Sequence, residues 1–235
     1  MHLLSIIIPA YNEVRTIRKI IERVLSVRFP VPFEVVVVDD CSVDGTYDGL
    51  MALAAEPSFE KVRVYRNAKN SGKGYSLRQG FYHARGDLVV IQDADFEYNP
   101  QEIPALLEPI LNGRAAIVYG SRFLQKKCPD GMAFPNWIAN LFLTGLTNFL
   151  FGTRLTDMET CYKVFKKALL EEIVLESGRF DFEPEITAKF IRRHHKILEM
   201  PIRYHGRQAS EGKKIRARDF FIAFAVLVKV RFQHV

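Results

Sequence analysis

Leu88-Val89-Val90-Ile91-Gln92-Asp93-Ala94-Asp95 joins a four-residue apolar run to two carboxylates set two positions apart. A short continuous apolar run bounded by polar residues reads as a strand buried on both faces. Outward from it the pattern recurs. Residues 3–9 form an isoleucine-rich run ending at Pro9, residues 35–38 a valine run ending at Asp39-Asp40, and residues 62–65 and 116–119 two further runs. Between them lie helical spacings. Val14, Ile17, Ile20, Ile21 and Val24 share one face, and residues 74–84 and 104–111 continue the alternation. Ser42 or Asp44 stands where a cap is wanted before Leu50 and Leu53. Strands alternating with helices predict an α/β fold, a mostly parallel sheet with helices on both faces. At 235 residues, one domain is expected, residues 1–235.

Ligands of such sheets sit beyond the carboxyl ends of the strands. Here those ends carry Pro9-Ala10-Tyr11-Asn12-Glu13, Asp39-Asp40 and Asp93-Ala94-Asp95, so three polar clusters converge on one rim. Two aspartates spaced as Asp93 and Asp95 suit a hard cation, Mg²⁺ or Mn²⁺, shared with substrate phosphates. Glu97 is placed to add a third oxygen. The metal would offset charge on a leaving diphosphate. A solvated turn is the plain alternative. Asp39 or Asp40 would accept hydrogen bonds from a base or ribose, or cap a helix. Tyr11 would stack on a base and Glu13 bond a ribose, while Asn12 is also a fitting cap for the first helix. Asn70-Ser71-Gly72-Lys73-Gly74 would bring backbone N–H groups and Lys73 near phosphate, or form a turn only. It lacks the P-loop pattern.

The charge is uneven. Lys and Arg number 33 against 27 acids, a net of +6. Residues 189–218 alone carry +8, so the remainder nets −2. Within that stretch Arg207, Ser210, Lys213 and Lys214 lie around Gly206 and Gly212, a basic loop suited to closing over a pyrophosphate. Hydrophobic residues at 48% and charged ones at 26% exclude disorder. Cys41, Cys128 and Cys161 have no metal-ligand spacing, which fits free thiols in a reducing compartment. No secretory signal is read at the start, and a cytoplasmic location is expected.

Residues 132–153 hold no charged residue, but Asn140, Thr144, Thr147 and Asn148 form a polar helical stripe, leaving Trp137, Leu141, Phe142, Leu146 and Phe149 elsewhere. That pattern predicts a helix lying in a membrane interface or packed on the domain, rather than one that spans. Residues 220–232, apolar at 11 of 13 positions, are too short to span.

Six segments in order resemble the family-2 glycosyltransferases, in particular the polyprenyl-phosphate (dolichol-phosphate) mannose or glucose synthase branch. They are Ile6-Ile7-Ile8-Pro9-Ala10-Tyr11-Asn12-Glu13, Val38-Asp39-Asp40-Cys41-Ser42-Val43-Asp44-Gly45-Thr46, Asn70-Ser71-Gly72-Lys73-Gly74, Asp93-Ala94-Asp95, Gly120-Ser121-Arg122 and Asp157-Met158-Glu159-Thr160-Cys161-Tyr162-Lys163. The resemblance implies a GT-A-type, Rossmann-like domain and an inverting transfer of a hexose from a donor of the GDP-mannose or UDP-glucose type. Residues 1–125 would form the nucleotide-sugar part and residues 126–235 the acceptor part. Pro9, Tyr11, Glu13, Asp39 and Asp40 would hold the nucleoside. Asp93, Ala94, Asp95, Lys73 and Arg122 would serve the sugar diphosphate, with Asp93, Asp95 and Glu97 on the metal and Arg207 and Lys213 in the pyrophosphate-gripping loop. The last segment departs from the lipid-phosphate enzymes, which usually carry a small-residue-and-glycine version. A phosphate acceptor is already ionised and needs little help from a base, whereas a hydroxyl needs a carboxylate, and Asp157 and Glu159 are the candidates. The expected acceptor is a polyprenyl phosphate or another membrane-associated group, reached by peripheral contact with a cytoplasmic membrane face. The alternatives are a soluble or hydroxyl acceptor, or a non-catalytic nucleotide-sugar-binding relative. A nucleic-acid module would leave the acidic strand ends unexplained.

Overall fold

The computed structural model describes residues 2–206 and 217–233. The apolar runs become the centre of one α/β domain. β1 (Leu4–Ala10), β2 (Phe33–Asp39), β3 (Val62–Arg66), β4 (Leu88–Ile91) and β5 (Ile117–Ser121) lie within a residue or two of the segments expected. Ile6, Ile7, Ile8, Val35 to Val38 and Leu88 to Val90 are wholly enclosed, because helices cover both sheet faces. α1 (Ile17–Leu25) buries Ile17, Ile20, Ile21 and Val24. Its preceding residue is Thr16, not Asn12. Asn12, at φ 51°, instead stitches two loops: its N–H donates to Ser42 Oγ and its Oδ1 accepts from Val43 N–H. α2 (Thr46–Ala54) follows Gly45, with Asp44 Oδ1 accepting from Thr46 N–H. α3 (Lys73–His83) and α4 (Ile103–Leu111) complete the first half.

Two strands complete a seven-stranded sheet of order β3-β2-β1-β4-β6-β5-β7. β6 (Lys163–Lys166) runs antiparallel between β4 and β5, and β7 (Ile197–Pro201) pairs parallel with β5. The chain steps from β1 through β2 to β3, then returns to β4 on the other side of β1. That reversal opens a crevice beyond the carboxyl ends of β1 and β4.

α5 (Phe134–Phe151), α6 (Phe182–Arg192) and α7 (Ala217–Phe232) share a second, smaller core of Leu143, Met158, Ala188, Ala223, Leu227 and Val230. α5 is turned opposite to an ordinary surface helix. Its polar stripe faces the protein: Thr144 Oγ1 accepts from Met158 N–H, and Asn148 Nδ2 donates to the Leu155 carbonyl. Phe134 and Phe149 point outward, 68% and 84% exposed, joined by Phe224 and Phe232 of α7 at 40% and 72%. No described helix is long and apolar enough to cross a membrane.

Candidate active site

A cavity of about 980 Å³ occupies the crevice and runs on to the facing sides of α5 and α7. Pro9, Ala10, Tyr11 and Glu13 line it after β1, and Asp93, Ala94, Asp95 and Glu97 after β4. The structure therefore brings seven expected residues, with Ala10 between them, to one hollow. Glu13 is held there by Thr16, whose hydroxyl donates to Glu13 Oε2 at 2.8 Å.

The acids after β2 are placed differently. Asp39 is fully enclosed and does not line the cavity. Its Oδ2 accepts from Ser42 N–H at 3.1 Å and lies 3.4 Å from Arg66 Nε, while its buried Oδ1 meets no donor among the described residues. Asp40 reaches the cavity but grips the glycine loop. Oδ1 accepts from Ser71 N–H at 2.8 Å and Asn67 Nδ2 at 2.7 Å, and Oδ2 from Gly72 N–H at 2.7 Å.

The loop does not present the row of backbone donors expected for phosphate. Beyond the N–H groups that Asp40 takes, Gly74 N–H donates to the Arg179 carbonyl and Tyr75 N–H to that of Gly178. Gly72 sits at φ 93°, and a Cβ there would meet Gly178 O at 2.3 Å. The glycines thus serve a close approach between the loop and the turn before α6.

Lys73 lies between two carboxylates, 2.8 Å from Asp93 Oδ1 and 2.8 Å from Glu183 Oε1. Burial alone would push its ammonium down, but Asp93 and Glu183 outweigh it and hold the pKa well above the ordinary lysine value. Asp95 Oδ1 accepts from Glu97 N–H at 2.9 Å, and the Tyr204 phenol bonds the Glu97 carboxylate. Among the described residues, no three carboxylate, histidine or cysteine side chains are gathered as a metal cluster.

Asp157, one of the two expected bases, is corrected by its position. It is fully buried away from the cavity, with Oδ2 accepting from Arg122 Nε at 2.7 Å and Oδ1 from Arg122 Nη2 at 2.7 Å. The bidentate pair consumes both oxygens. Arg122 does line the cavity, and Asn140 Oδ1 takes a further Nη2 hydrogen at 2.8 Å. Glu159, the other candidate, also lines it. Its Oε1 is enclosed with no donor among the described residues, and burial, reinforced by the Glu183 charge, pushes its pKa up to about 8. Beneath it Lys163 is wholly buried, donating to the Met158 carbonyl and lying 4.0 Å from the Tyr119 ring centroid. Arg207 and Lys213 fall outside the described residues.

Glu183, Arg179 and Asn140 belong to the site but were not singled out by sequence. An acid in the first turn of a helix is common for dipole reasons alone, so Glu183 carries no distinguishing mark. Asn140 was visible only as part of the polar stripe.

Residues 5–174 match the profile of Glycosyl transferase family 2. The chain belongs to that family. It is 32% identical to the undecaprenyl-phosphate mannosyltransferase of Micrococcus luteus, covering 88% of this chain and 85% of that one. It is 30% identical to the dolichol-phosphate mannosyltransferase of Pyrococcus furiosus, over 90% of this chain but only 60% of that protein's length. The fold is shared with glucosyl-3-phosphoglycerate synthase of Mycobacterium tuberculosis, solved with Mn²⁺, uridine diphosphate and phosphoglyceric acid. The TM-score there is 0.74 at 19% identity, over 98% of this chain and 79% of that one. The domain is thus of the GT-A type.

Proposed function

We propose that this family-2 protein transfers a hexose, with inversion, from a nucleotide-sugar of the GDP-mannose or UDP-glucose type to a polyprenyl phosphate or another membrane-associated acceptor. One observation carries the reading. A single cavity extends from the acids after β4 to the crevice between α5 and α7, whose outer faces are apolar. Sugar donor and lipid-linked acceptor would meet along that path, the first half of the chain holding the donor and the second the acceptor. The names of the Micrococcus and Pyrococcus relatives support a polyprenyl-phosphate acceptor.

The nucleoside is proposed to lie along Pro9 to Tyr11 and Glu13. Asp39, enclosed on the strand paired with β1, has a buried Oδ1 with no donor among the described residues and would meet a base or ribose hydrogen once a bound nucleoside displaces the cover over it. The donor set fits a hard cation, since Asp93, Asp95 and Glu97 offer only carboxylate oxygens within one hollow. Asp95 and Glu97 would hold Mg²⁺ or Mn²⁺, with Asp93 at present joined to Lys73. When bound, the ion neutralises charge on the departing diphosphate. Lys73 and Arg122 orient the site by fixing Asp93, Glu183 and Asn140. A phosphate acceptor is ionised near neutral pH and attacks without a base. A hydroxyl acceptor is the second reading, favoured by Glu159, whose raised pKa and place in the cavity suit a general base.

The outward apolar faces of α5 and α7 support contact with a membrane surface, their aromatic side chains entering the lipid boundary and Arg154 and Arg218 nearby meeting headgroups. Transfer assays should pair GDP-mannose and UDP-glucose with a polyprenyl phosphate and Mn²⁺. Labelled lipid product is expected with one donor and none in chelator. Transfer to soluble hydroxyl acceptors alone would replace this reading with the second.

A further inference from the structure

Among the charged residues that line the cavity acids predominate, yet on the proposed reading it receives a diphosphate and a second phosphate. Its described lining holds four cations: Lys73, Arg122, Arg179 and Arg218. Three already face carboxylates. Lys73 bridges Asp93 and Glu183, Arg122 is bidentate on Asp157, and Arg218 Nε lies 3.9 Å from Asp219. Arg179 alone among the described lining cations has an exposed side chain with no carboxylate against it.

The backbone that carries Arg179 is fixed. Its carbonyl accepts from Gly74 N–H at 3.1 Å, its own N–H donates to Asp181 Oδ1 at 2.8 Å, and the neighbouring Gly178 carbonyl accepts from Tyr75 N–H. Its Cγ lies against Gly72, 2.8 Å from where a Cβ would stand. The turn is thereby bolted to the loop that bears Lys73, while among the described residues nothing engages the guanidinium on the cavity wall. A guanidinium presents a planar fork suited to phosphate oxygens. An arginine beside the acids of the cavity, carried on a backbone tied to the loop of Lys73, is an arrangement that admits an additional anion.

We propose that Arg179 binds the phosphate of the acceptor, making it the residue that selects a phosphorylated acceptor. The proposal rests on the lipid-phosphate reading above. Because alanine keeps the main-chain N–H and carbonyl of residue 179, Arg179→Ala should keep the fold, which its unfolding temperature would report.

The test is steady-state transfer from the productive nucleotide-sugar to a short-chain polyprenyl phosphate, with each substrate varied in turn. Arg179→Ala should raise the KM for polyprenyl phosphate at least about tenfold and leave the donor KM within about twofold. Arg179→Lys should restore part of the loss, since a charge remains but the fork does not. An unchanged acceptor KM in a wild type that uses polyprenyl phosphate overturns the Arg179 assignment and leaves the acceptor reading standing. A rise confined to the donor KM also overturns it, placing the arginine on the diphosphate. If the wild type transfers only to non-phosphorylated acceptors, the acceptor reading itself fails and this assignment with it.

Discussion

Two acid pairs stand at strand ends on one rim, and the fold uses them in opposite ways. After β2, Asp39 and Asp40 turn back on their own chain. Asp40 accepts two backbone N–H groups and one amide, and Asp39 is sealed beside Ser42. After β4, Asp93 and Asp95 line the cavity together with Glu97. The difference lies in what surrounds each pair. The glycine loop runs past β2's end and offers its N–H groups to Asp40. Beyond β4, Asp93 meets the side chain of Lys73 among the described residues, a contact that a ligand can compete for. A carboxylate at a strand end is therefore ambiguous until its neighbouring donors are known.

The sharpest way to break this contrast is to exchange the two outcomes. Asp95→Ala should lower turnover by at least about 100-fold, because loss of charge stabilisation worth several kcal/mol at a leaving diphosphate is multiplied through the rate. Its unfolding temperature should stay near wild type. Turnover within a few-fold of wild type would remove Asp95 from the chemistry.

Removing Asp157 tests the same contrast just behind Arg122, at the end of β5. Asp157→Ala leaves the Arg122 guanidinium buried and without its counter-charge. Stability should fall by about 3–5 kcal/mol, as for other broken buried pairs. Asp157→Ala with Arg122→Met together should recover much of it, which denaturant titration would read. A stability loss below about 1 kcal/mol for the single variant would mean that the pair is not a structural brace.

Asp40→Ala should sit between these. It orphans the N–H groups of Ser71 and Gly72, and one such loss costs about 1–3 kcal/mol. The loop carrying Lys73 would loosen, so a fall in unfolding temperature should accompany a smaller fall in turnover than that of Asp95→Ala. An activity loss with no stability loss would put Asp40 with the substrate-facing acids after all.

Much of this was legible in the order of residues, and the exceptions have physical causes. β1, β2 and β4 read clearly because strands covered on both faces need no polar alternation. β6 did not, since Lys163-Val164-Phe165-Lys166 carries a lysine at each end and one of these is wholly buried, against the usual habit of lysine. β7, a short edge strand with Leu198 exposed, offered no run to read. The rim acids were found as a set. Their division was hidden because it depends on the glycine loop some 30 residues beyond Asp40. Asp157 looked like a base for the same reason: its partner, Arg122, lies 35 positions away. The polar stripe on α5 was visible, but only packing shows that it faces inward.

The smallest effect concerns the buried pair beneath the cavity. Burial, helped by the Glu183 charge, raises Glu159 to about 8, and burial lowers Lys163 to about 8 despite its acidic neighbours. Between the ordinary glutamate value and 8, the folded protein holds a proton on Glu159 that the unfolded chain has released. Stability from this group is full at low pH and declines as pH rises toward 8. Above 8 the folded protein has lost the Lys163 proton that the unfolded chain keeps up to the ordinary lysine value, so that group's contribution rises with pH. The pair alone gives a minimum of stability where the two titrations meet. Glu159→Gln removes the falling limb, and its unfolding temperature should change less between pH 5.5 and 8 than that of the wild type, by a few degrees. Parallel profiles for the two proteins would mean that Glu159 is ionised in the fold. It would then stand with Asp93 and Asp95 as a charged wall of the cavity, rather than as a neutral group that takes up charge only when a proton is removed.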